Sequence, residues 1–251
     1  MIGRIDVHSH LLPGIDDGCA NLEQSLTCAQ ALVRVGYTHA FCTPHIWRNL
    51  PWNTAETVGQ RAAELQAHLD MMHVPLRIMP GGELSLRPEV LDTPPEQIVT
   101  YGLAKKFCLF DLWADELPDF FEPCVRYLQS QGLTAILAHP ERMEAVQKDP
   151  ANLIAYFQGL GLLLQGNLQC FADADDSPTR QLVERFLLEG RYTFLATDTH
   201  KPDSLPARLQ GLRRATEVAG RNTIARLTME NPQMLLASPA PCASVPSPSN
   251  A

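Results

Sequence analysis

The sequence predicts an α/β protein: a seven-stranded β/α barrel, built as one domain, with its functional residues at the C-terminal ends of the strands. Three observations carry that expectation. Short, near-continuously apolar runs alternate with helix-patterned stretches about seven times, the pattern of parallel strands covered by helices. The chain has 251 residues and is 45% hydrophobic, enough for one large core and routine for a single barrel. Nearly every apolar run ends in His, Asp, Glu or Asn, and in parallel barrels all such ends share one face.

The first run, Ile5-Asp6-Val7, leads into His8-Ser9-His10 and then the acidic turn Gly14-Ile15-Asp16-Asp17-Gly18. A helix follows over 21–35, with Asn21 and Gln24 as a capping box, Leu22, Leu26, Ala29 and Val33 as its apolar stripe, and Gly36 as its stop. The second strand, 38–43, ends at Pro44-His45; a Trp- and Pro-containing loop leads to a long helix over 54–72. The third strand, 76–79, ends in Pro80-Gly81-Gly82-Glu83, and a short helix is expected somewhere in 84–101. The fourth, 107–112, carries Asp111 and precedes a helix over 119–131. The fifth, 134–138, ends in His139-Pro140-Glu141-Arg142, with a helix over 151–160. The sixth, 162–165, ends in Gly166-Asn167, and Ser177-Pro178 opens a helix closed by Gly190. The seventh, 192–196, ends in Thr197-Asp198-Thr199-His200, before two closing helices near 206–219 and 222–236. This gives one barrel domain over 1–237, and residues 238–251, mostly Pro, Ser and Ala, read as a disordered tail.

Composition excludes some functions. The formal net charge is -8 and no basic run occurs, so a nucleic-acid backbone is not the expected partner. No segment approaches a membrane span, and no signal peptide precedes the first strand, so no membrane insertion is expected. The seven cysteines are irregularly spaced without a Cys-x-x-Cys, which points to a reduced, cytoplasmic protein.

The chemistry lies at the strand ends. Residues two apart in a strand point to the same side, so His8 and His10 can aim at one point. The other strands deliver His45, Glu83, Asp111, His139, Asn167, Asp198 and His200 to the same face, so five of the eight histidines sit there. Asp17 either joins them or shapes its turn. Imidazoles and carboxylates without thiolates suit Mn, Fe or Zn, and so many donors imply two or three ions, with Glu83 best placed to bridge. Such a cluster generates hydroxide near neutral pH and clamps the attacking and leaving oxygens of a phosphoester. Arg142 and Arg208 are the candidate catalytic residues, able to grip phosphate oxygens. Asn167 is expected to orient a neighbour or meet substrate. Cys28 to Arg34 matches the Cys-x5-Arg spacing of cysteine-based tyrosine phosphatases, but Ala-Gln-Ala-Leu-Val between them is helix interior, its N–H groups already bonded, so a catalytic Cys28 is rejected.

His8-Ser9-His10, Asp16-Asp17-Gly18, Thr43-Pro44-His45, Gly82-Glu83, Ala138-His139-Pro140-Glu141-Arg142 and Thr197-Asp198-Thr199-His200 together resemble the polymerase-and-histidinol-phosphatase (PHP) superfamily. The opening HSHLLPGIDDG and the AHPER stretch resemble one branch of it, the capsule-biosynthesis, CpsB/CapC-type metal-dependent protein-tyrosine phosphatases of bacteria. The resemblance implies a distorted seven-stranded barrel holding up to three metals, often manganese. Its implied ligands are His8, His10, Asp17, His45, Glu83, Asp111, His139, Asp198 and His200. It also implies a phosphotyrosine protein as substrate, a bacterial tyrosine kinase that controls polysaccharide export. Two departures stand out. The fourth-strand position is Asp111 where the family often has Glu, and Arg208 lies further beyond His200 than the arginine members often carry. Two other readings stay open at this point: a phosphatase of a small phosphorylated metabolite such as histidinol phosphate, and a non-enzymatic, metal-stabilised binding module.

Overall fold

The computed structural model describes residues 2–236; the expected tail at 238–251 lies outside the described residues. Nine strands form two parallel sheets. One holds β1 (Arg4–Ser9), β2 (Tyr37–Cys42) and β4 (Arg77–Pro80) in the order β1-β2-β4. The other holds β3 (His45–Ile46), β5 (Glu83–Ser85), β6 (Phe107–Asp111), β7 (Thr134–Ala138), β8 (Leu163–Asn167) and β9 (Phe194–Ala196), in that order.

The nine strands occupy seven barrel positions. Thr43-Pro44 interrupts the second, leaving β2 and β3, because proline has no N–H for the ladder. Gly81-Gly82 interrupts the third, leaving β4 and β5. Across the remaining seam, Asp198 N donates to His8 O (2.8 Å), His10 N donates to Thr199 O (2.8 Å), and Ser9 bridges Thr199 in parallel. The buried Asp6 reinforces this seam by accepting bonds from the backbone N–H and hydroxyl of Thr197.

Side-chain alternation separates two cores. Cys108, Phe110, Ala135, Leu137 and Leu195 face outward onto the helices, whereas Phe107, Leu109, Ile136, Ala138, Phe194 and Ala196 face inward with Ile5, Val7 and Phe41. Asp111 continues the inward side of Phe107 and Leu109, so the interior changes from apolar to acidic towards the strand ends.

Helices α1 (Leu22–Arg34), α2 (Ala55–Met71), α3 (Phe121–Ser130), α4 (Glu144–Lys148), α5 (Pro150–Gly159), α6 (Pro178–Leu188) and α7 (Leu205–Ala225) form the outer layer, and α8 (Gln233–Leu236) ends the described chain. Asn21 caps α1 by accepting from Gln24 N, but the Gln24 side chain accepts from Ala20 N, one residue before the position a strict capping box uses. The most buried face of α1 is Ser25, Cys28, Ala29 and Leu32, with the expected Leu22, Leu26 and Val33 at its margins. The helix expected in 84–101 is absent. Three 3-10 turns replace it, Pro88–Asp92, Pro95–Gln97 and Tyr101–Leu103, in a stretch where Pro88, Pro94 and Pro95 remove helical N–H donors. The break expected between the closing helices is a kink within α7 at Gly220 (φ 79°), followed by a π turn over Arg226–Glu230.

Candidate metal centre

The strand exits place all nine expected ligands at one end of the barrel, in four overlapping groups. These are His10, Asp17, His45 and His200; His8, His10 and Asp198; His8, Glu83 and His139; and His45, Glu83 and Asp111. Within each group the candidate ligand atoms lie within 4.8 Å of one another. Glu83 is the one carboxylate of the set that belongs to two groups. His8 Nε2 and His10 Nε2 approach to 3.2 Å. Glu83 Oε2 is 3.3 Å from His8 Nε2 and 3.5 Å from His10 Nε2, and Asp198 Oδ1 is 3.4 and 3.3 Å from the same two nitrogens. His139 Nε2 meets Glu83 Oε1 at 3.1 Å. Asp17, 57% exposed, stands at the rim, 3.3 Å from His45 Nε2 and 3.6 Å from His200 Nε2.

The local chain is bent to achieve this. His139 (φ 32°) and Asp198 (φ 51°) both hold the left-handed backbone that non-glycine residues avoid, as each leaves its strand. The loop after β1 folds back so tightly that a Cβ on Gly18 would stand 2.3 Å from the His10 carbonyl oxygen, so only glycine fits.

The donor set suits divalent cations better than it suits itself. His45 Nδ1 and Glu83 Oε2 are 2.9 Å apart but are not aligned as a hydrogen bond. Those two atoms and Asp111 Oδ1 are buried without hydrogen-bond partners, and together they are one of the four groups. Orphaned buried polar atoms are costly, and a cation held there would offset the cost for all three. Burial and the neighbouring Glu83 charge push Asp111 up to about 6. Burial also pushes Glu83 and Asp198 up, but the surrounding imidazoles outweigh it and hold both well below the usual carboxylate range. Among the candidate ligands, Asp111 is thus the carboxylate that lacks sufficient positive charge of its own.

Several supporting residues were not singled out from the sequence. Gln165 Oε1 lies 2.8 Å from His8 Nδ1, while its NH2 group donates to Gly166 O. Asp16 Oδ2 lies 2.7 Å from His10 Nδ1 and also accepts from His45 N (3.1 Å). Asn53 donates to the carbonyls of His45 and Ile15, tying two ligand loops together. Glu141, buried between strands, accepts from Asn167 N and from the Tyr192 hydroxyl. Gln165 is the one polar side chain in the run Leu162 to Gln165, which was the available signal. Asn167 orients a neighbour, as expected: its Nδ2 donates to Asp198 Oδ2 (2.8 Å).

The two arginines differ. Arg142 NH1 donates to Asp198 Oδ2 (3.1 Å), with its guanidinium 4.7 Å from the Trp113 ring and about a third of its side chain open. Arg208 is buried within α7, not in the preceding loop, and spends its donors on the carbonyls of Asp198 (2.8 Å) and Ser204 (3.0 Å). Cys28 lies buried inside α1, against Cys19, with no phosphate-binding loop around it. Among the described residues no helix is long and apolar enough to cross a membrane.

The tyrosine-protein phosphatase YwqE of Bacillus subtilis (strain 168) is 27% identical over 236 residues, covering 92% of this chain and 91% of its own. The tyrosine-protein phosphatase CpsB of Streptococcus agalactiae serotype V is 25% identical over 245 residues, covering 92% and 98%. Among solved structures, one from work on YwqE of Bacillus subtilis and CpsB of Streptococcus pneumoniae, described as unique metal-dependent tyrosine phosphatases, superposes with a TM-score of 0.82. It is 26% identical and covers 92% of this chain and 94% of that one. The family model described as capsular polysaccharide synthesis, CpsB/CapC, matches residues 4–237, and the chain belongs to that family.

Proposed function

We propose that this chain is a metal-dependent protein-tyrosine phosphatase, hydrolysing phosphotyrosine in a protein through two or three divalent ions at the barrel mouth. The observation that carries this reading is the set of four overlapping donor groups, sharing His8, His10, His45 and Glu83, beside a partly open guanidinium. Ions held there supply a hydroxide nucleophile at neutral pH and neutralise phosphate oxygens. Mn is the proposed metal, with Fe or Zn compatible with the same imidazole and carboxylate donors.

The nine candidate ligands would hold the ions, with Glu83 shared between two of the donor groups. Gln165 and Asp16 fix the orientations of His8 and His10 from behind, so that both Nε2 atoms face the interior. Arg142 grips the phosphoryl oxygens and offsets charge that develops in the transition state. Arg208 takes a positioning role, holding the backbone of the Asp198 segment, rather than the direct catalytic role expected from its place in the sequence.

The family's description as capsular polysaccharide synthesis and the relatives' names as tyrosine-protein phosphatases support a phosphotyrosine protein of that process as substrate, and we infer that it is a bacterial tyrosine kinase met in the cytoplasm. The buried cysteines, all free among the described residues, suit a reducing compartment. The test is a panel of phosphotyrosyl peptides, phosphoseryl peptides and small phosphorylated metabolites, assayed with and without added Mn. Phosphotyrosyl peptides are expected to be preferred, with activity lost on chelation and in His139→Ala. Selectivity for one small metabolite supports the alternative substrate class. Failure to release phosphate from any substrate, with His139→Ala indistinguishable from wild type, removes the enzymatic reading.

A further inference from the structure

Two of the three tryptophans stand beside the metal centre. Trp47 directly follows β3, and Trp113 lies two residues beyond Asp111 at the end of β6. The strand β5 runs between them, and its last residue Ser85 with the following Leu86 and Arg87 lies in the cleft that both tryptophans line. That cleft has a volume of about 1000 Å³. Neighbouring strands are about 4.8 Å apart, so β3 and β6 are separated by roughly 10 Å. Aromatic centroids pack about 4.5–7 Å apart, so a third ring between two indoles needs a comparable span.

Both indoles are anchored on groups of the centre. The Trp47 ring stacks on the His45 imidazole, with centroids 4.0 Å apart and planes at 20°. Trp113 Nε1–H donates to Asp111 Oδ2 (2.7 Å), and one side of its ring carries the Arg142 guanidinium. Even so, Trp113 remains 58% exposed. An indole held rigidly by its polar edge and by a cation, yet left open, is pre-organised to receive another apolar ring.

The structure assigns Trp47 and Trp113 as the two walls of a slot for the aryl ring of the phosphorylated substrate, making them the residues that select aryl over alkyl phosphate esters. This rests on the phosphatase reading for its biological use, but ring binding itself does not require turnover. Stacking on the two indoles is expected to favour an aryl over an alkyl group by about tenfold in affinity.

The test uses non-hydrolysable probes. Calorimetry on the metal-loaded protein compares phenylphosphonate with methylphosphonate, for wild type, Trp47→Ala, Trp113→Ala, the corresponding Phe variants, and Trp52→Phe as a control away from the cleft. Metal content is measured in each. The expected result is a preference for phenylphosphonate in wild type and Trp52→Phe, collapse of that preference in either Ala variant, recovery in the Phe variants, and full metal content throughout. Equal binding of the two probes by wild type overturns the assignment. So does a preference that survives both Ala substitutions, or equal weakening of both probes with loss of metal, which would leave the indoles only as supports for His45 and Asp111. Aryl preference without phosphopeptide hydrolysis would refute the phosphatase reading and keep the slot; hydrolysis without aryl preference would do the reverse.

Discussion

Gln165 fixes which nitrogen of His8 faces the interior. Its NH2 group is committed to Gly166 O, so its carbonyl oxygen must be the atom 2.8 Å from His8 Nδ1. Neutral His8 therefore carries its proton on Nδ1, which leaves the Nε2 lone pair free for a cation on the side where Glu83, Asp198 and His10 converge. Gln165→Leu preserves size but removes the acceptor. Losing such an outer partner typically lowers metal affinity about 10–100-fold, and that loss is expected in competition titrations against a chelator. Gln165→Glu keeps an acceptor and should retain most of the affinity.

The metal-free protein should lose stability as pH rises. Burial pushes the His45 imidazole down, but its contacts with Asp17 and Glu83 outweigh this and lift it to about 9, above the unfolded value of 6.5. A raised histidine contributes stability that is fully present below pH 6.5 and lost as pH climbs through about 9. Denaturant melts of chelated protein between pH 6 and 10 should show that decline. Metal must displace the same proton, so affinity should rise over the same interval, with proton release visible as a buffer-dependent heat. A flat melt profile in the chelated protein would contradict this ion-pair arrangement.

The convergence of the candidate ligands was largely readable in the sequence because most of them sit in a short local signal, an apolar run ending in His, Asp or Glu. Barrel topology then does the convergence, so His10 and His200 need no sequence proximity to stack at 3.9 Å. What was hidden depends on contacts made only in three dimensions. Asp16 and Asp17 are adjacent in the acidic turn, yet one orients His10 from behind and the other stands at the open rim. Nothing local distinguishes them. Gln165 and Glu141 are similarly defined by partners on other strands. The missing helix after β5 reflects prolines whose apolar neighbours can equally line 3-10 turns. Arg208 lies in α7 because that helix begins at Leu205, immediately before Pro206.

Arg142 and Arg208 should separate cleanly by experiment. Arg142→Ala is expected to lower kcat/KM about 100-fold or more, as loss of one charge-stabilising donor does, with metal content near wild type. Arg142→Lys should recover little, since an ammonium cannot offer paired N–H groups or stack on Trp113 in the same way. Arg208→Met instead removes the guanidinium bonds to the Asp198 and Ser204 carbonyls, leaving His200 Nδ1 as the side-chain partner of Asp198 O, at a cost of about 1 kcal/mol in stability for each bond lost. Its activity should fall together with metal retention. If Arg208→Met loses turnover with normal melting and normal metal content, Arg208 contacts substrate after all.

Metal stoichiometry should reveal how the groups share Glu83. This carboxylate belongs to the group with His8 and His139 through one set of contacts and to the group with His45 and Asp111 through another. Glu83→Gln keeps the shape but removes the charge that both groups use, so elemental analysis should show occupancy falling at more than one site. Asp17→Asn removes a rim carboxylate that enters only the group with His10, His45 and His200. It should therefore weaken a single ion and leave the others in place. The two variants thus differ in the number of equivalents lost, not merely in activity. Equal losses of one equivalent in both would mean that Glu83 serves one ion, and that the orphaned pair formed by His45 Nδ1 and Glu83 Oε2 is not a shared coordination position.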